Sequence, residues 1–193
     1  MGMGSSKINV NAQGQATPRT GFSYDMTVRQ LDASFWKTIT GAGAMASNKL
    51  RLNADTLASY TQFKYGRFQF LVNVPTTLSA GEAKKWGLLS PGNVAAGSAY
   101  FEIVGAVLNA VSYDDDGTAQ TTAITTSFPG AAAEYLYEIE WEDDYVIFSI
   151  SGTVVASHQT RVGTHPLPLY LHNADADNTD FGNITIKETA QYV

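Results

Sequence analysis

Hydrophobic residues recur at every second position over much of this chain. Leu50 and Leu52 alternate with Lys49, Arg51 and Asn53, and Phe68, Phe70, Val72 and Val74 alternate with Arg67, Gln69 and Asn73. Successive side chains of an extended strand point to opposite faces, so this alternation predicts strands with one buried and one wet side. Phe101, Ile103 and Val107 share one face of a further predicted strand, Tyr100 to Leu108. Tyr135, Tyr137, Ile139 and Trp141 alternate with Glu138, Glu140 and Glu142, which makes the wet face of that strand a row of carboxylates. Glu142-Asp143-Asp144 and Ser151-Gly152 have turn chemistry, so this region predicts a meander of three antiparallel strands ending near Ser157. Ser79 to Leu89 reads as a turn or two of helix behind a Ser79 cap, limited by Gly81 and Gly87. With no strand-helix-strand crossover required, the pattern predicts an all-β fold, an antiparallel β-sandwich or jelly roll.

Length and composition narrow the picture. A chain of 193 residues closes one full hydrophobic core and is short for two. Residues 1–20 are rich in Gly, Ser, Asn and Gln without hydrophobic periodicity, and read as a flexible arm ahead of a sandwich over residues 21–193. Lys plus Arg total 12 against 18 Asp plus Glu, a formal charge of -6, so no basic field exists to neutralise phosphates and no nucleic-acid partner is expected. The absence of cysteine excludes disulfides, thiol catalysis and thiolate metal sites. The first twenty residues lack the apolar run of about 7 to 15 residues that a secretory signal needs. Nor is there an apolar stretch of about 18 residues anywhere, so the expectation is a soluble chain without a membrane partner.

Two blocks carry a resemblance. Tyr65 to Pro75, YGRFQFLVNVP, resembles the strand YGRFEARIKLP of laminarinase-type β-glucanases in the concanavalin A-like lectin/glucanase superfamily. Tyr135 to His158, YLYEIEWEDDYVIFSISGTVVASH, is similar to that family's HTYAIEWTPDSIRFYVDGVLVATH, with Ile139, Glu140, Trp141, Phe148, Gly152, Val154 and Val155 in step. Weaker echoes follow in the same order at Pro166 to Asn173 and Ile184 to Lys187. The resemblance implies a concanavalin A-like antiparallel sandwich of the kind found in glycoside hydrolase family sixteen.

That family's hydrolases carry Glu, Asp and Glu at alternate positions of one strand, which brings two carboxylates about 5 to 5.5 Å apart as nucleophile and acid/base. In YFEIVGAVL, between the two matching blocks, Glu102 aligns with the start of the motif, but Val104 stands at the Asp position and Ala106 or Val107 at the second Glu. One carboxylate cannot be both nucleophile and proton donor, so the expectation from this strand is a chain that is not an enzyme.

Sugar recognition needs flat aromatic faces for the ring and amides or carboxylates for its hydroxyls. By analogy with the family's groove, the expected ligand-binding residues are Trp86, Tyr100, Glu102, Tyr113, Tyr170, His172 and Asn173. His158, His165 and His172, spaced seven apart, match no metal motif. Two acidic loops offer oxygens to calcium: Asp114-Asp115-Asp116-Gly117, and the run holding Asp175, Asp177 and Asp180, which is the expected calcium site if a cofactor is needed at all. The leading expectation is a non-catalytic module binding a polysaccharide or glycoconjugate in surface attachment. The alternative is a structural or decoration protein of a virion or surface layer, using the arm to join neighbouring subunits in a homo-oligomer or larger assembly. An active β-glucanase is the third reading. An extracellular or virion-surface location without a Sec-type signal suits the first two.

Overall fold

The computed structural model describes residues 22–24, 33–74, 83–105, 107–124, 133–174, 177–187 and 190–192. The arm expected over residues 1–20 lies outside them. The strands are β1 (Phe22–Tyr24), β2 (Trp36–Thr40), β3 (Ala44–Ala46), β4 (Lys49–Leu52), β5 (Thr56–Lys64), β6 (Gly66–Asn73), β7 (Ala83–Leu88) and β8 (Ala99–Val104). There follow β9 (Val107–Tyr113), β10 (Ala119–Ile124), β11 (Glu134–Trp141), β12 (Val146–Ile150), β13 (Thr153–His158), β14 (Leu167–Asn173), β15 (Thr179–Lys187) and β16 (Ala190–Tyr192).

They form two antiparallel sheets of eight strands. Sheet one runs β13-β12-β11-β6-β15-β4-β3 with β1 also paired to β15, and sheet two runs β10-β9-β8-β7-β14-β5-β16 with β2 also paired to β5. Strands distant in sequence, such as β6 and β15, are neighbours in space, as a jelly roll requires. Among the described residues no helix is long and apolar enough to cross a membrane.

Local chemistry explains the turns. Ser151 and Gly152 both have positive φ, 49° and 82°, so the β12–β13 hairpin turns through a pair whose twist matches its strands. Tyr65, with φ of 55°, breaks the chain between β5 and β6. Its ring meets Trp141 edge-on at 5.4 Å and its hydroxyl donates to Asp143, which ties the start of the YGRF block to the end of the meander.

The core lies between the sheets. Leu50, Phe68, Phe70, Tyr137, Ile139, Trp141, Phe148, Phe181 and Ile186 of sheet one meet Leu57, Phe63, Trp86, Phe101, Ile103, Leu169 and Leu171 of sheet two. Where the edges of the sheets meet, His158 of β13 in sheet one reaches two strands of sheet two: Ser112 Oγ on β9 lies 2.8 Å from its Nδ1 and Thr122 Oγ1 on β10 3.0 Å from its Nε2. Burial lowers the pKa of this imidazole, because the charged form has no water around it.

Two elements differ from expectation. The stretch read as a helical turn contains strand β7 from Ala83, because Lys84, Trp86 and Leu88 point into the core at period two while Lys85 and Gly87 point away. Gly87 has a φ of 151° and lies so close to β8 that a Cβ would sit 2.5 Å from the carbonyl oxygen of Ala99, which only glycine tolerates. The single strand expected from Tyr100 to Leu108 is a hairpin: β8 ends at Val104, Gly105 turns with φ of 57°, and Val107 opens β9 opposite Val104. The motif alignment that placed Ala106 or Val107 on the same strand as Glu102 is therefore corrected.

Candidate functional site

The face of sheet two turned away from the core is organised in cross-strand rows. One row runs Asn109 on β9, Glu102 on β8, Lys85 on β7, His172 on β14 and Thr56 on β5, as fixed by the pairings Glu102 with Asn109, Lys85 with Glu102, His172 with Lys85 and His172 with Thr56. The next row runs Val111, Tyr100, Gly87, Tyr170 and Ala58. Tyr113 follows on β9, two residues beyond Val111 and so on the same side of the strand.

The charged centre is an ion pair. Lys85 Nζ lies 2.8 Å from Glu102 Oε2 and 5.2 Å from the centre of the Tyr100 ring, so the ammonium is drawn towards β8 by a carboxylate and an aromatic face together. Tyr100 is buried beneath this pair and packs with Leu89 and Val111, while half-buried Tyr113 and Tyr170 lean on the same cluster. Burial, helped by Glu102 and by a hydrogen bond with Tyr113, pushes the Tyr100 phenol well above its usual pKa. Among the eight strands of sheet two, Glu102 is the only acidic residue and His172 the only histidine.

On the other side of Lys85, His172 Nδ1 lies 2.8 Å from Thr56 Oγ1, and the Tyr170 ring stands 6.0 Å from the imidazole. Burial first, then the charges of Lys85 and Lys84, holds the His172 pKa below its ordinary value. At neutral pH the ring is neutral, with Nδ1 engaged by Thr56.

Of the seven expected ligand-binding residues, Tyr100, Glu102, Tyr113, Tyr170 and His172 stand together on this face. Trp86 does not: it is fully buried on the opposite side of β7, with ring centres 4.9 Å from Tyr137, 6.1 Å from Phe101 and 6.4 Å from Phe181, and is corrected to a core residue. Asn173 is also corrected, because it follows His172 and so points inward, where its Nδ2 donates to the carbonyls of Leu52 at 2.9 Å and Asp177 at 2.6 Å. Lys85, Asn109 and Thr56 were not singled out in the sequence; they enter through cross-strand register.

Of the expected calcium residues, Asp177 and Asp180 are described, and Asp180 is engaged by an arginine. Asp180 takes both Nε and Nη2 of Arg51, at 2.7 and 2.8 Å, and Asp175 lies outside the described residues. In the other acidic loop, Asp114 accepts from the Thr118 backbone N–H at 2.7 Å and from Arg161 at 2.7 Å, while Asp115 bonds the Thr164 N–H at 3.0 Å and pairs with His165 at 2.8 Å. This is turn chemistry, with the carboxylates already engaged. Among the described residues, no group of three His, Asp or Glu gathers to hold a metal ion.

No family model matches the chain, and no curated protein sequence does. Solved structures do. The Bacillus licheniformis β-glucanase is similar over 88% of this chain and 99% of its own, with a TM-score of 0.72 at 12% identity. The apo Crh5 transglycosylase covers 91% and 89%, with 0.70 at 15%. The laminarinase catalytic domain from Thermotoga maritima covers 89% and 98%, with 0.67 at 11%. The expectation that this chain is not an enzyme is corrected by these findings: it rested on one incomplete motif, whereas the matches span most of the length of hydrolases and a transglycosylase. At these identities the likeness is one of fold, and this chain has the jelly-roll sandwich of the β-glucanases and laminarinases, a concanavalin A-like fold.

Proposed function

We propose that the chain is a carbohydrate-active enzyme working on a β-linked glycan laid across the open face of sheet two, with Glu102 as its reacting carboxylate. The observation that carries this reading is that the one acidic side chain on the strands of that sheet stands beside Lys85 and among Tyr100, Tyr113 and Tyr170. Half-buried tyrosines suit the apolar faces of sugar rings, and a carboxylate, an ammonium, an amide and an imidazole in one row suit their hydroxyls. Tyr113 and Tyr170 are the ring platforms in this reading, and Tyr100 is their floor. The glucanases and transglycosylase of the same fold support the substrate class. The glycan reading is preferred here to the structural-block alternative because the open face gathers these side chains in one place.

The test is release of reducing ends from a panel of β-1,3- and mixed-linkage β-glucans. The wild-type protein releases them, and Glu102→Gln loses at least about 100-fold, the usual weight of a proton-handling group. No release from any glucan by the wild-type protein contradicts the reading.

A further inference from the structure

Tyr60 on β5 is 56% exposed, and among the described residues it is the only exposed aromatic. Ala58 and Gln62 stand on the open side of sheet two, paired with Tyr170 and Pro168, and Tyr60 lies midway between them at period two, so its ring shares that side. Leu57 and Phe63 go the other way and are fully buried. Since β5 lies beyond β14 from β8, Tyr60 stands one strand past Tyr170, on the side away from Glu102.

The backbone that carries this ring is irregular. From Ala58 to Gln62 β5 advances four residues, while β14 advances two from Tyr170 to Pro168, so residues 59–61 bulge opposite Leu169 alone. Three hydrogen bonds hold the bulge. Ser59 Oγ, nearly buried, accepts the Leu169 N–H at 2.9 Å and donates to the Thr61 carbonyl at 2.5 Å, and the Tyr60 N–H donates to the Phe35 carbonyl at 2.8 Å. These bonds use the backbone of Tyr60 and leave its side chain to the surroundings. A bulge re-aims the side chain it carries, and such bulges recur beside binding and active sites.

We propose that Tyr60 is a distal sugar platform, a subsite past Tyr170 in which its ring stacks on the apolar face of a glycan unit remote from Glu102. The exposed Gln62 amide, two residues on and on the same side, serves the hydroxyls of that unit. The inference rests on the glycan-acting reading above and extends it to the length of the ligand. Val111 on β9, Gly87 on β7 and Ala58 on β5 share a row, these three strands run in one direction, and Tyr113 and Tyr60 each stand two residues further along. Four strand steps separate β9 from β5, about 19 Å at about 4.8 Å per step. The ligand is therefore a chain of several sugar units crossing the strands, and contact with Tyr60 makes the site favour long chains over short ones.

Chain length separates this subsite from the reading beneath it. Wild type, Tyr60→Ala and Tyr60→Phe are compared by calorimetry on oligosaccharides of β-1,3- and mixed-linkage glucan, from disaccharide to hexasaccharide, with denaturant midpoints measured alongside. Wild-type affinity is expected to climb with length. Tyr60→Ala is expected to weaken the hexasaccharide about tenfold and the disaccharide less than about twofold, while Tyr60→Phe keeps the wild-type profile. All three midpoints stay close together, because the ring is exposed. In the wild-type protein the amide resonances of Tyr60 and Gln62 move with the hexasaccharide. Undiminished hexasaccharide affinity in Tyr60→Ala, an equal loss at every length, or still resonances at Tyr60 and Gln62 overturn the distal platform while leaving the site around Glu102 in place. Failure of the wild-type protein to bind any length overturns both readings together.

Discussion

The two sheets turn very different outer faces to the surroundings. On sheet one the acidic side chains of β11 and β15 have partners across the strands: Glu134 takes Lys49, Asp180 takes Arg51 in a two-point bond, Glu140 takes Arg67 at 2.6 Å and the Tyr145 hydroxyl at 3.1 Å, and Glu138 takes the Gln69 amide at 2.5 Å. On sheet two one ion pair stands among tyrosines, an amide and a neutral imidazole. The lesson is that a dense row of carboxylates is no sign of a site, because opposite charges facing each other across a sheet satisfy one another. On sheet two it is the half-buried tyrosines around the Lys85–Glu102 pair, rather than the carboxylate count, that distinguish the face in the proposed reading.

Substitutions sharpen this contrast. The largest effect belongs to neither face: Trp86→Ala, beneath the open face, is expected to cost about 3 to 5 kcal/mol in denaturant unfolding, because it empties a site packed by three aromatic rings. A normal midpoint with weakened glycan binding would return Trp86 to the surface. Next comes Tyr170→Ala, expected to weaken binding of a β-glucan oligosaccharide about tenfold in calorimetry. Unchanged affinity would remove this ring from the site.

The pH dependence of stability follows, through the histidine that ties the sheets together at their edge. The folded pKa of His158 lies below its unfolded value, so the unfolded chain binds more protons just below about pH 6.5 and stability falls as pH drops through that window. A single ring contributes at most about 1.4 kcal/mol per pH unit. His158→Gln is expected to flatten that part of the slope in melting curves, and an unaltered slope would rule the ring out. The smallest change is expected from Arg67→Ala on sheet one: about 1 kcal/mol, with glucan cleavage unaffected, since its ion pair with Glu140 is partly open to solvent on the sheet opposite the proposed site. A large loss of cleavage would mean that the two faces had been assigned the wrong way round.

Much of the fold was legible because period two runs through Leu50 to Val74 and Tyr135 to Ser157 with turn residues between. The site was legible where parity was clear: Phe101 and Ile103 inside require Tyr100 and Glu102 outside. Parity also held the answer for Trp86 and Asn173, which share their strand sides with Leu88 and Leu171, but the aromatic and amide chemistry of a sugar site outweighed it. The turn at Gly105 was hidden inside the apolar run Val104 to Val107, which lacks the Asn-Gly or Asp-Gly pair that marks a tight hairpin. The bond between Thr56 and His172 spans 116 residues and exists only because β5 and β14 are neighbours, a fact of topology that neither segment records.

The most direct test of the central claim is a titration of the isotopically labelled protein with a β-glucan oligosaccharide, followed by amide chemical shifts. Resonances of Lys85, Tyr100, Glu102, Tyr170 and His172 are expected to move together and saturate, while those of Lys49, Arg67, Glu138 and Glu140 stay still. Movement confined to the sheet-one residues, or none on either face, would contradict the account.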